Sequence, residues 1–243
     1  MDFRIEEDFW ALFPAVRIGV VIAHGIANEA TGKKAQEAAT LLAQTAAQTG
    51  AVLQDDTQDI VDIAAYPAVA PWREAYQTFG AKPNKYRSSI ENLLRSARAG
   101  SVRSINPLVD LYNSVSLRHQ LPCGGEDLAA VVGDIRLTRA VGDELFVPLG
   151  SPDPQTSQPP QAGEVIYRDD EGVLCRAWNW REAERTKLTT ATRDAFLCIE
   201  VLPPLSEESL RAACTDLAEL VSTKLSADCR VEILSRHRPI VTL

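Results

Sequence analysis

No segment of the sequence approaches the roughly 18 unbroken apolar residues that a membrane-spanning helix needs. The opening residues, Met1-Asp2-Phe3-Arg4-Ile5-Glu6-Glu7-Asp8, are acidic where a secretory signal is basic and then apolar, so no leader is expected. Aromatics are scarce, at 6% of 243 residues. Even so, 45% apolar and 24% charged residues, with a mean hydropathy of −0.11, exclude disorder for most of the chain. The five cysteines, at 123, 175, 198, 214 and 229, are odd in number and include no CxxC pair. That spacing disfavours structural zinc and a disulfide framework, and predicts reduced, mostly buried thiols in a cytoplasmic protein. Also missing are GxxxxGK, GxSxG, HExxH and a GxGxxG after a strand, so no cofactor or metal is expected.

The net charge of −8 argues against a protein that coats nucleic acid, but it is unevenly spread. Residues 1–81 hold five basic and eleven acidic residues. Residues 82–103 reverse the sign: Lys82, Lys85, Arg87, Arg95, Arg98 and Arg103 face one acid, Glu91. A basic patch on an acidic body suits a compact contact with a phosphate backbone, and reads equally as a solvated helix face.

Residues 16–23 read as a buried strand closed by His24-Gly25, and His24 shows no acid or nucleophile partner in the sequence around it. Helices are expected over 29–49, ended by Gly50, and over 68–79, with Pro71 in the first turn and Gly80 at the end. The loop 82–89 leads into a third helix, with Ser88 or Ser89 as N-cap and Gly100 beyond its end. A helix start flanked by cations is also an anion site. A fourth helix spans 106–119, with Pro107 in its first position. Strands follow at 131–140, 144–148, 164–168, 172–179 and 195–202, with a Pro-rich surface loop over 149–163. Ser206 caps a last helix to about Leu225, and a strand at 230–234 closes the C-terminal part, 206–235. This order predicts one α+β domain over 1–243, with a mixed sheet flanked by helices.

Two stretches carry more. The run Asn106-Pro107-Leu108-Val109-Asp110-Leu111-Tyr112-Asn113-Ser114-Val115-Ser116-Leu117 is followed by Leu121-Pro122-Cys123-Gly124-Gly125-Glu126-Asp127. Together they resemble a segment of the B3/B4 domain in the beta subunit of bacterial phenylalanyl-tRNA synthetase. The loop Lys82-Pro83-Asn84-Lys85-Tyr86-Arg87-Ser88-Ser89 is similar to free-standing relatives of that domain, and Asp194-Ala195-Phe196-Leu197-Cys198-Ile199-Glu200 to the strand bearing its pocket glutamate. The resemblance spans roughly 15–203. It implies an editing fold that hydrolyses the ester between a wrong amino acid and the tRNA 3′ end. Here that would be a trans-acting deacylase with tRNA as partner, without DNA or membrane, on a polar or cationic amino acid such as tyrosine or an arginine analogue.

By that resemblance Asn113 stands on the pocket asparagine, Tyr112 replaces a threonine, and Gly124 replaces a histidine, so a His-assisted mechanism does not transfer. Glu200 matches a glutamate that reads a tyrosine hydroxyl. Trp178, Asn179 and Trp180 fall near the pocket wall, with Glu126 and Asp194 as further carboxylates and Gly125 beside them. The resemblance thus gives Asn113, Asp194 and Glu200 as catalytic candidates, and Tyr112, Gly124, Gly125, Glu126, Trp178 and Asn179 as substrate contacts. Lys82, Lys85, Arg87 and Ser88 are the expected tRNA contacts. Each has a plainer reading: Asn113 and Glu126 as caps, Glu200 as a solvent-facing strand residue, Trp178 and Trp180 as core. The ester is already activated, so a positioned water needs little acid–base help, and Asp194 or Glu200 would be the base if one exists. A non-catalytic RNA-binding module and a small-molecule binder or hydrolase remain as alternatives.

Overall fold

The computed structural model describes residues 1–54, 62–151, 153 and 157–243. The first half of the chain forms β1 (Asp2–Ile5), α1 (Glu7–Leu12), β2 (Arg17–His24), α2 (Lys33–Gln54), α3 (Ala70–Thr78), α4 (Ser89–Arg98) and α5 (Pro107–His119). Strands β3 (Cys123–Asp127), β4 (Ile135–Arg139), β5 (Val165–Arg168), β6 (Val173–Arg176), β7 (Arg181–Glu182) and β8 (Ala195–Val201) follow. Helix α6 (Glu207–Leu225) and strands β9 (Asp228–Leu234) and β10 (Ile240–Thr242) complete the α+β fold.

The strands divide between two sheets, where the sequence suggested one. A six-stranded sheet runs β10-β1-β4-β5-β6-β7 and is mixed, because β1 lies parallel to β4. A four-stranded sheet runs β3-β8-β2-β9 and is antiparallel throughout. The reason lies in β2 and β8, whose side chains are buried on both faces and so need a layer on each side. On β8, Leu197, Ile199 and Val201 pack with Leu210, Leu217 and Val221 of α6. The alternate residues Phe196 and Cys198 face the other sheet, in one core with Phe3, Tyr167 and Trp178. Glu200 follows them on that face by the two-residue period, which sends a carboxyl into the space between the sheets.

Ser88 and Ser206 cap their helices as the sequence predicts, and Asn106, expected inside its helix, caps it as well. Ser88 Oγ accepts from Glu91 N at 3.3 Å, Asn106 Oδ1 from Val109 N at 3.1 Å, and Ser206 Oγ from Ser209 N at 3.2 Å. Gly80 ends α3 with φ +84°, a left-handed conformation that glycine takes without strain. Gly50 does not end α2. It lies within the helix, where a Cβ would come 2.4 Å from the Ala97 carbonyl oxygen, so glycine there lets α4 cross closely.

Residues 144–148 do not form a strand. The Glu144 carboxylate turns back to accept from Val141 N and Gly142 N at 2.7 and 2.9 Å, and only an isolated bridge joins Pro148 to Ala183. The strand expected over 172–179 stops at Arg176, since Ala177 and Trp178 take φ +44° and +64°. The short strands β1, β3, β7 and β10 carry too few residues for a periodic signal. The Pro-rich loop 149–163 lies partly outside the described residues, at 152 and 154–156. All five cysteines are free, and all but Cys229 are buried. Among the described residues no helix is long and apolar enough to cross a membrane.

Candidate functional site

Glu200 is 1% exposed, and three neutral donors meet it. Tyr167 Oη and Trp178 Nε1 donate to Oε1 at 2.5 and 2.7 Å, and Asn179 Nδ2 donates to Oε2 at 2.5 Å. Burial still outweighs these bonds and pushes the Glu200 carboxyl up to about 7. Four lone-pair positions and three donors leave Oε2 able to accept one more hydrogen bond. Glu200 is therefore neither solvent-facing nor paired to a cation.

Two of the three donors sit on a turn with unusual backbone. Ala177 and Trp178 are both fully buried, and positive φ at consecutive non-glycine residues costs on the order of 1–3 kcal/mol each. The turn is braced by Glu164, whose carboxylate takes Arg176 Nε and Nη2 at 2.9 and 2.8 Å and Ala177 N at 2.8 Å. Trp178 N donates to Val165 O at 2.7 Å. Trp178 is thus core and pocket wall at once. Its ring packs edge-on against Phe9 and Trp72, with centroids 5.0 and 4.9 Å away, while its N–H reaches Glu200.

Beside Glu200 lies a cavity of about 20 Å3, lined by Gly124, Gly125, Glu126, Glu182, Asn179 and Ser89 among others. Glu182 was missed by the sequence reading. It comes from the short strand β7 and is half-buried, with burial raising its carboxyl to about 7. Glu126 is 4% exposed, and burial and the neighbouring Glu182 carboxyl raise its pKa well above the usual carboxylate range. Two buried carboxyls so placed disfavour a second negative charge, which favours the protonated form of at least one of them. Gly124 opens the space for Glu182: a Cβ there would sit 3.1 Å from Glu182 Oε1. Gly125 instead serves the sheet, since its Cβ would meet Leu197 Cδ2 at 2.5 Å and Phe196 O at 2.6 Å. Tyr112, half-buried on α5, has Glu182, Cys123 and Glu126 as electrostatic neighbours, and burial lifts its hydroxyl pKa well above 10.

The basic loop adjoins this cavity. Ser89 N donates to Asn179 Oδ1 at 3.3 Å, so one amide links the start of α4 to Glu200. Tyr86 packs edge-on against Trp180, with centroids 4.7 Å apart. Arg73 pins the loop, donating to Asn84 Oδ1 at 2.5 Å and to both oxygens of Glu91 at 2.9 and 3.0 Å. Fully buried Glu91 also takes Arg95 at 2.9 Å and Arg87 at 3.7 Å. Arg87 is 44% exposed, whereas Lys82 and Lys85 are exposed and make no ion pair among the described residues. Ser88 is 2% exposed and serves as the cap, not as a surface contact.

Two of the catalytic candidates lie elsewhere. Asn113 is half-buried on α5, its side chain makes no hydrogen bond among the described residues, and it does not line the cavity. Asp194 precedes β8, at the opposite end from Glu200 and roughly 20 Å away at strand rise. There Asp194 Oδ1 meets His24 Nδ1 at 3.0 Å and Gly25 N at 3.1 Å, so His24 does have an acid partner, in an exposed pair. Among the described residues no group of three or more His, Cys, Asp or Glu is placed to hold a metal ion.

The sequence profile of the B3/4 domain matches residues 71–224. The chain belongs to the B3/4 domain family. The basic loop, the cavity and Glu200 all fall within the matched B3/4 segment. Among solved structures, the chain is similar to an N-terminal fragment of the phenylalanyl-tRNA synthetase beta-subunit from Pyrococcus horikoshii, at 13% identity and a TM-score of 0.45. That alignment covers 94% of this chain and 50% of the fragment, so the B3/4 chain spans about half its length. A search of curated proteins returns no match.

Proposed function

We propose that this B3/4 domain protein is a trans-acting deacylase that hydrolyses the ester of a misacylated tRNA. The observation that carries the reading is the pairing of opposite fields at one place. Exposed Lys82, Lys85 and Arg87 lie on the loop that runs into Ser89, which lines a cavity walled also by Glu126, Glu182 and Glu200, and none of these three acids makes an ion pair among the described residues. An aminoacyl-tRNA has the complementary layout, phosphates outside and an ammonium at the acylated end. A side chain with a polar or cationic end extends that match, because Glu200 Oε2 retains an accepting position.

The chemistry asked of the protein is orientation of an activated ester and exclusion of bulk water. The test is deacylation of a panel of mischarged tRNAs, including tyrosyl, arginyl-analogue and leucyl esters. Turnover is expected on the polar or cationic esters and not on leucyl-tRNA. Tight tRNA binding without turnover would make the protein an RNA-binding module, and turnover of amino-acid esters free of tRNA would make it a small-molecule hydrolase. Either result overturns the proposal.

A further inference from the structure

Ser89 Oγ, Glu126 Oε2 and Glu182 Oε2 are buried and meet no donor group among the described residues, while the Glu126 and Glu182 carboxyls lie within hydrogen-bonding reach of each other. All three residues line the same cavity. Buried polar atoms are rarely left unpaired, so three at one wall mark a place built for a polar occupant. A cavity of about 20 Å3 has room for one water, which needs two to four polar partners.

We propose that Glu126 and Glu182 are the acid–base pair of the hydrolysis, acting on one water held between them and Ser89. This rests on the deacylase reading above. The Glu182 carboxylate takes a proton from the water as the water oxygen bonds to the ester carbonyl carbon, and the carbonyl electron pair moves onto its oxygen. The tetrahedral species then collapses and breaks the bond to the ribose oxygen, which receives the Glu126 proton. The proton gained by Glu182 returns to Glu126 across the pair. The products are tRNA with a free hydroxyl and the free amino acid, which ionises to solvent.

Geometry favours this pair over the other carboxyls. Glu200 already accepts three hydrogen bonds, and Asp194 lies at the far end of β8. The groups facing Glu182 are Glu126 and Cys123 on β3, Cys175 on β6, Glu200 and Cys198 on β8, and Tyr112 on α5. Burial raises the three thiols and the Tyr112 hydroxyl well above their ordinary values, which leaves only carboxyls to titrate near neutrality. Arg185, bonded to Asp169 at 2.8 Å, is a more distant influence on Glu126.

The experiment is a pH–rate profile of deacylation for the wild type, Glu182→Gln, Glu126→Gln and Glu182→Asp, with tRNA affinity and thermal unfolding measured on each. Glu182→Gln is expected to lower kcat by at least about 100-fold, with tRNA affinity unchanged, and to abolish the rise in rate through neutral pH. Glu182→Asp should retain that rise at a reduced rate. If Glu182→Gln does not fold, the Glu182→Asp profile decides. An active wild type whose rate and profile survive in Glu182→Gln and Glu126→Gln overturns the pair and leaves the deacylase reading standing. A wild type inactive on every ester overturns both.

Discussion

Arg176 and Glu164 meet as a buried, two-pronged ion pair whose carboxylate also holds the amide of Ala177. The pair sits one residue from the left-handed turn that delivers Trp178 and Asn179 to Glu200. Removing one partner of a buried pair leaves the other charge uncompensated. Glu164→Gln should therefore lower unfolding free energy by about 3–5 kcal/mol, read by urea denaturation. Near-UV circular dichroism should change with it, because Trp178 loses its fixed orientation. An unaltered spectrum would separate the turn from the pair.

Stability should fall as pH rises through neutrality. Glu182 and Glu200 are raised from 4.5 to about 7, so the folded state binds their protons more tightly than the unfolded state. Their contribution is fully present below about 4.5 and is lost progressively as pH rises to about 7 and beyond. For Glu200 a shift from 4.5 to about 7 corresponds to about 3 kcal/mol at most. Thermal midpoints between pH 5 and 8 should fall in the wild type and fall less steeply in Glu200→Gln. Parallel curves would refute the assignment.

The two glycines of β3 should behave differently on substitution. Gly124→Ala places a methyl 3.1 Å from the movable Glu182 carboxylate, so activity should drop with little loss of stability. Gly125→Ala drives its methyl into the Phe196 carbonyl oxygen at 2.6 Å and should destabilise by about 1–3 kcal/mol. Paired melting and deacylation curves would show both effects.

The basic loop offers a salt test. Lys82 and Lys85 make no ion pair among the described residues, although Lys85 Nζ lies 5.0 Å from the Tyr86 ring centroid, whereas Arg87 leans on Glu91 at 3.7 Å. Replacing both lysines by alanine should weaken binding equally across tRNA species and flatten the log–log salt slope by roughly one to two units. Arg87→Ala should flatten it less. Unchanged binding in the double lysine variant would remove the loop from the interface.

Much of the architecture was legible where local chemistry decides it: the caps Ser88 and Ser206, and the apolar run of β2. Gly50 misled because a glycine needed for a helix crossing looks the same in sequence as one ending a helix. Within the site, Glu200, Trp178, Gly124 and Glu126 were found by resemblance and do converge, while Asn113 and Asp194 do not. Glu182 carried no signal. It stands in the charged run Arg181-Glu182-Ala183-Glu184-Arg185, which reads as solvent-exposed, and only its pairing with Cys175 across β6 and β7 turns it inward.

The acid-walled cavity, reached from the basic loop through Ser89, also bears on how a reaction cycle ends. Hydrolysis turns an uncharged ester carbonyl into a carboxylate, while the ammonium of the amino acid stays as it was. On the proposed reaction the new negative charge forms next to the Glu126–Glu182 pair, at a distance where like charges repel in a poorly screened interior. The discharged tRNA keeps every phosphate that the lysines held. On the proposed reaction the amino acid is ejected first and the nucleic acid leaves second, so free amino acids should be poor inhibitors and uncharged tRNA a good one.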